Sequence, residues 1–535
     1  MKKYIVILCM CLLGLASCDD KLDLAPANQI TQEQIMELLA SGDSSKIDLV
    51  LGGLASNLPY VWHRDLGGSD PLINSPLGLM YRHSLMGYDL VIEGNDMGVF
   101  GYLPYISADV IRNGLDNKNT GNWELGWKCV AEANRLLDFL TDEIVGDSKR
   151  LKTYKAQALT LRAFAYNWLM ENYREAYRSD GVGLMIYDKI GGDYKPYSTA
   201  GEMYDFIKQD IKTATGLFAE SQIGEAQDGY TIASFSDIDL GVANFVLARI
   251  SLLTGDYVTA IAASNAVLAK YPNLIATEYY GGKNSGTATE PEFKMETNAF
   301  LNFTHNPEVI WGFQDVLGNR NNIYTAWNVL SYSYGGASAG DYTCIVNTLY
   351  DQINANDVRK STFLDGNTRF EDYRYESETS PTNRSVPEYS NLKFAASLGK
   401  NGTKANADIS SNDICYIRVS EVLLIKAEAQ AKSGDDAGAK ATLNTLLAAR
   451  STGSGTLTAD NYGGGAGNTL EQVKLQWRIE MWGEKATEYY NNKRWGVDVV
   501  RSMTATNHGR DMTIPVAIMT LPIPENELLY NPNLR

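Results

Sequence analysis

The 535-residue chain holds only four histidines, His63, His83, His305 and His508. None forms a His-Glu-x-x-His pair, and no zinc-ligand spacing joins them, which removes the common metallohydrolase patterns. There is no Gly-Lys-Ser phosphate loop. Basic residues are also few: 47 Lys and Arg stand against 64 Asp and Glu, a net charge of −17. Such a balance argues against nucleic acid and against anionic headgroups as partners. Beyond the first residues no apolar run reaches the length of a transmembrane helix. A glycosidase needs only two carboxylates flanking a sugar, so that chemistry leaves no motif to find. The expectation is nonetheless a protein that is not an enzyme and needs no cofactor or metal.

Cysteine is scarce and unevenly placed. Lys2 and Lys3 precede an apolar stretch from Ile5 to Leu15, followed by Leu15-Ala16-Ser17-Cys18. Small residues before a Cys form the pattern of a bacterial lipoprotein cleavage site. Residues 1–17 are therefore read as a signal peptide, and Cys18 as the lipidated N-terminus that anchors the protein to a membrane without crossing it. Cys9 and Cys11 leave with the signal. Cys129, Cys344 and Cys415 remain, an odd number without metal spacing, and are expected to be single buried thiols. Residues 18–30, opening Cys18-Asp19-Asp20-Lys21-Leu22-Asp23, read as a flexible acidic tether. Acidic residues after the lipidated Cys also resemble a signal that sends some lipoproteins to the cell surface.

What the chain has is a repeated helical unit. From Ala243 to Pro272, Val246, Ile250 and Leu253 recur at helical spacing, Gly255-Asp256 breaks the pattern, and a second stripe runs through Ala260, Ile261, Val267 and Leu268. The same layout returns from Ser420 to Arg450. With Gly434 set on Gly255, Ile425 falls on Val246, Ala427 on Ala248 and Leu447 on Leu268. Helix, Gly-Asp turn and helix is the layout of a tetratricopeptide unit, and one such unit cannot bury its apolar face alone. The predicted fold class is mainly α: a helical repeat scaffold, about 120–275 and 412–500, carrying loop-rich inserts with a few short strands, about 59–118 and 276–411. One helix is expected from Leu470 to Asn491, and the tail LPIPENELLYNPNL is expected to be extended.

Several segments resemble the SusD/RagB family of outer-membrane nutrient-binding lipoproteins. They are Ala156 to Tyr166, the helix from Ser420 with Leu443-Asn444 and Arg450, Arg478-Ile479-Glu480-Met481-Trp482-Gly483-Glu484, Arg494-Trp495-Gly496, and Leu521-Pro522-Ile523-Pro524 with Asn531-Pro532-Asn533. The chain departs from the family pattern at Lys485 to Asn492, where a Gly, an Arg and an Asp-Leu are usual. The resemblance implies one SusD-like domain over residues 31–535. It also implies a surface lipoprotein that binds oligosaccharide or another nutrient and caps a SusC-like TonB-dependent transporter as its lid. A peptide or other non-sugar nutrient binder, or a repeat adaptor without ligand, are alternatives on the same fold.

Sugar rings stack on aromatic faces and need planar amide, carboxylate or guanidinium partners for their hydroxyls. Two loop stretches combine these groups. One holds Asn95, Asp96 and Tyr102, with Tyr88, Phe100 and Tyr105 nearby. The other holds Arg320, Asn322, Tyr324 and Trp327. Each has a bland reading beside it: Trp327 can pack its loop onto the body, and Asn95 and Asp96 can bond their own turn backbone. Trp62, Tyr279 and Tyr280 are weaker candidates, and the remaining tryptophans are expected in the core.

Overall fold

The computed structural model describes residues 34–35, 37–38, 41, 44–63, 76–93, 117–221, 234–284, 297–314, 342–368, 370–372, 384–395, 413–453, 455–463 and 468–534. Its main helices are α1 (Ser44–His63), α2 (Pro76–Leu85), α3 (Asn117–Phe139), α4 (Lys149–Tyr173), α5 (Ala200–Ser221), α6 (Leu240–Thr254), α7 (Tyr257–Lys270), α8 (Val419–Lys432), α9 (Asp436–Arg450), α10 (Thr469–Glu480) and α11 (Thr487–Trp495).

Both Gly-Asp turns do what their chemistry requires. Gly255 ends α6 at φ = 80°, and Gly434 follows α8 at φ = 86°, the left-handed region where a Cβ is strained. Asp256 then accepts the N–H of Thr259, and Asp435 that of Gly438, so each Asp caps the second helix of its hairpin. The two hairpins meet through α7 and α8, and from α3 to α9 each helix packs on the next. Fully buried alanines, among them Ala156, Ala243, Ala248, Ala260, Ala427 and Ala439, let the axes approach closely. Helix α4 is the spine: 19 of its 25 residues are buried, so it is packed nearly all round rather than on one stripe.

The strands form two-stranded antiparallel ladders among the described residues. They are β1 (Leu90–Glu93) with β3 (Tyr342–Ile345), β2 (Val309–Phe313) with β6 (Ile414–Arg418), β4 (Phe370–Asp372) with β5 (Arg384–Val386), and β7 (Val499–Arg501) with β8 (Met512–Ile514). Cys129, Cys344 and Cys415 are buried and none is in a disulfide. Among the described residues no helix is long and apolar enough to cross a membrane.

Three local expectations change. Helix α1 runs through Pro59 to His63, because Val61 and Trp62 are buried beyond the proline. The single helix expected from Leu470 breaks after Glu480: Gly483, Lys485 and Ala486 all take positive φ. That turn carries Glu484 inward before α11 begins. The tail contains a short helix, Glu525–Tyr530, rather than staying extended.

Candidate functional site

Asn95, Asp96 and Tyr102, and Arg320, Asn322, Tyr324 and Trp327, lie outside the described residues, as does Cys18. The described residues do hold the ends of both stretches. Strand β1 pairs with β3 from Leu90 opposite Ile345 to Glu93 opposite Tyr342. Glu93 and Tyr342 therefore end the ladder side by side, about 5 Å apart across antiparallel strands. Val91, Cys344 and Ile345 are buried beneath it and fix the register.

This ladder rests on a polar platform built by the C-terminal part of the chain. Asp89, one residue before β1, accepts from Arg478 Nε at 3.0 Å. Its carbonyl accepts from the Trp482 indole at 3.0 Å and from the Val346 amide at 2.9 Å. The Glu488 carboxylate takes the amides of Tyr88 at 2.6 Å and Asp89 at 3.0 Å. His508 Nε2–H donates to the Tyr88 carbonyl at 2.9 Å. Burial, and then the neighbouring charge of Asp89, push the Glu488 carboxyl up to about 7, Arg478 opposing. Burial and Arg501 bring His508 down to about 4. Beside the platform a groove of about 370 Å³ opens between Tyr88, Gln352, Arg478 and Trp495.

A second, deeper cluster ties the edges of the second insert to the helices. Glu480, at the end of α10, receives Arg418 at 2.7 Å, Arg450 at 3.0 Å and Arg359 at 3.1 Å. Glu308 binds Arg418 at 2.9 Å and Arg450 at 2.6 Å. Glu484 binds Arg418 and Lys393 at 2.7 and 2.6 Å, and Asp357 holds Arg359. Four cations thus meet four carboxylates, all buried, and the cluster is neutral as a whole. Burial would raise the Glu480 carboxyl, but Arg450, Arg418 and Arg359 outweigh it and hold it well below the usual range. Burial brings Lys393 down to about 8, against the pull of Glu484.

Two of the three weaker candidates, Trp62 and Tyr280, are buried in the core, and Tyr279 is half-buried. Trp62 is fully buried, edge-on to Phe164 and Trp168. Tyr280 is buried, and Tyr279 stacks on His305 at 4.0 Å. Trp123, Trp168, Trp311, Trp477 and Trp482 are core; Trp127 and Trp495 are partly buried against it. The motif residues Arg450, Glu480 and Glu484 form the ionic cluster. Arg478 and Trp482 hold Asp89, and Arg494 with Trp495 grips Glu428. Sequence reasoning missed Asp89, Glu488 and His508; the one hint was that Glu488 falls where the chain departs from the family pattern.

The family model described as the SusD family matches residues 279–535, and one described as starch-binding associating with outer membrane matches residues 105–227. The chain belongs to the SusD/RagB family. Its fold is that of SusD-like structures. A SusD-like carbohydrate binding protein from Bacteroides vulgatus ATCC 8482 is 22% identical with a TM-score of 0.64, over 90% of this chain and 97% of the other. A SusD superfamily protein from Bacteroides thetaiotaomicron VPI-5482 is 19% identical with a TM-score of 0.63, over 91% and 99%. One from Parabacteroides distasonis ATCC 8503 is 16% identical with a TM-score of 0.63, over 92% and 98%. No curated protein matches the chain. The SusD motifs are thus the scaffold of this member, and the stretches singled out for ligand lie outside them in sequence, one before Ala156 and one between Tyr166 and Ser420.

Proposed function

We propose that this SusD family member is a glycan-binding lipoprotein of the outer membrane. Anchored through Cys18 and facing the cell exterior, it captures an oligosaccharide and passes it to a SusC-like TonB-dependent transporter, over which it acts as the lid. It binds and does not catalyse. The observation that supports the reading is the end of the β1–β3 ladder at Glu93 and Tyr342, which borders in sequence the segments 94–116 and 315–341 that hold both candidate stretches. Asn95, Asp96 and Tyr102 from one stretch, with Arg320, Asn322, Tyr324 and Trp327 from the other, supply the aromatic faces and planar polar groups that a sugar needs. The platform of Asp89, Arg478 and Glu488 supports the edge from behind.

The test is calorimetry of the chain from Lys21 onward against plant, fungal and host polysaccharides, with Trp327→Ala beside it. Binding of one glycan class, lost in the variant, is the expected result. Binding of peptides and of no glycan would overturn the sugar reading. Co-purification with a transporter from the same outer membrane tests the lid role, and its absence would remove that role alone.

A further inference from the structure

Helix α4 ends at Arg174, whose guanidinium meets Tyr197 and, among the described residues, no carboxylate. Arg174 caps the helix through its amide, which donates to the Met170 carbonyl at 3.1 Å, while its guanidinium carbon lies over the Tyr197 ring at 4.1 Å from the centroid. The buried Nε and Nη2, the two nitrogens of its side-on fork, have no hydrogen-bond acceptor among the described residues. Nearby, buried Lys493 donates to the carbonyls of Glu171 at 2.8 Å and of Arg174 itself. Glu171 is already held by Arg249. Burial brings Lys493 down to about 7, against the pull of Glu171 and Glu175, so the fixed positive charge of this corner is that of Arg174.

Arg174 also lines an open cleft of about 600 Å³, walled by Tyr173, Val182 and Tyr197 on one side and by Leu521 and Pro522 of the tail on the other. The carboxylates on its rim do not answer the fork: Asp180 pairs with Arg178 at 3.3 Å, and Glu175 is exposed. A guanidinium fork without an acceptor matches one ligand chemistry best, a carboxylate bound through two parallel N–H···O bonds. Low water access makes that pairing stronger than on an open surface.

We infer that this cleft is a second binding site, taking the carboxylate of an acidic sugar residue through Arg174, with Tyr197 holding the guanidinium plane. The assignment to a sugar rests on the glycan reading above; the carboxylate chemistry does not. Entry requires a small shift of the rim, because the fork is shielded in the empty cleft.

The experiment is calorimetric titration of the chain from Lys21 onward with D-glucuronate, D-glucose and an acetylated dipeptide bearing a free carboxylate. Glucuronate should bind and glucose should not bind at this cleft. Arg174→Gln should weaken glucuronate at least tenfold, and Arg174→Lys, which keeps the charge but lacks the fork, should weaken it too. Arg178→Gln, on the same rim, should leave it unchanged. Melting curves identify any variant that fails to fold, and the Lys variant then decides. No glucuronate binding, or binding unaffected by both Arg174 variants, overturns the inference. Dipeptide bound in preference to glucuronate, again through Arg174, overturns the sugar assignment. Neutral-glycan binding that depends on Trp327 is read in a separate titration, so failure of either site leaves the other legible.

Discussion

Replacing Glu480 with Gln tests the central claim about the scaffold. The carboxylate is fully buried and receives three guanidiniums, with Oε1 shared by Arg418 and Arg450 and Oε2 by Arg359 and Arg450. The substitution keeps the shape but removes one negative charge, leaving the cluster of four cations and three carboxylates. Each ion pair at such a distance is worth about 4 kcal/mol at an effective dielectric of about 20, and burial of the charges offsets much of that sum. The arginines retain Asp357, Glu308 and Glu484, so the net loss falls at about 3–5 kcal/mol, the usual cost of one partner removed from a buried pair. Unfolding entropy of about 2.1 cal/mol/K per residue gives about 1 kcal/mol/K for this chain, so Tm should drop by about 3–5 °C. Differential scanning calorimetry at neutral pH reads this directly. Glu132→Gln, at the half-exposed pair with Arg135, should cost under about 1 kcal/mol. The double variant Glu480→Gln/Arg450→Met restores neutrality and should recover part of the loss. A Glu480→Gln protein melting within a degree of wild type would refute the argument.

Two further perturbations follow from local geometry. Glu488 prefers its neutral form in the fold, so its contribution is full below about pH 4.5 and is lost as pH rises to about 7, by about 3 kcal/mol. Urea titrations should therefore show the advantage of wild type over Glu488→Gln shrinking across that window, and a constant difference would count against it. Gly434→Ala forces a Cβ into the left-handed region, where no neighbouring atom crowds it, so the cost should be backbone strain alone, about 1–2 kcal/mol. A neutral result by the same titration would remove the turn argument.

The helical framework was legible because its signals are local. The Gly-Asp turns and the apolar spacing around Val246 and Ile425 need only neighbouring residues to be read, and both hairpins form where expected. The β2 strand lies in the insert of about 276–411, where a few short strands are expected. The break after Glu480 was not, since it is set by Glu484 reaching Arg418, 66 residues away in sequence. The platform was hidden for the same reason: Glu488 meets the Tyr88 amide across 400 residues. Residue type alone could nominate Trp327 or Asn95 for sugar contact, while what stands behind them is decided by pairings that no local pattern carries.

The β1–β3 ladder has a consequence for the order of events in folding. Helical hairpins such as α6–α7 close over a few residues and form in microseconds, whereas joining Leu90 to Ile345 must wait until most of the chain is collapsed. Loop-closure entropy grows with each doubling of the separation, by about 0.6 kcal/mol, and is recovered only when the platform locks. The edge at Glu93 and Tyr342 should therefore be among the last parts of the molecule to assemble. Substitutions there should leave the folding rate nearly untouched and act on the rate of unfolding instead.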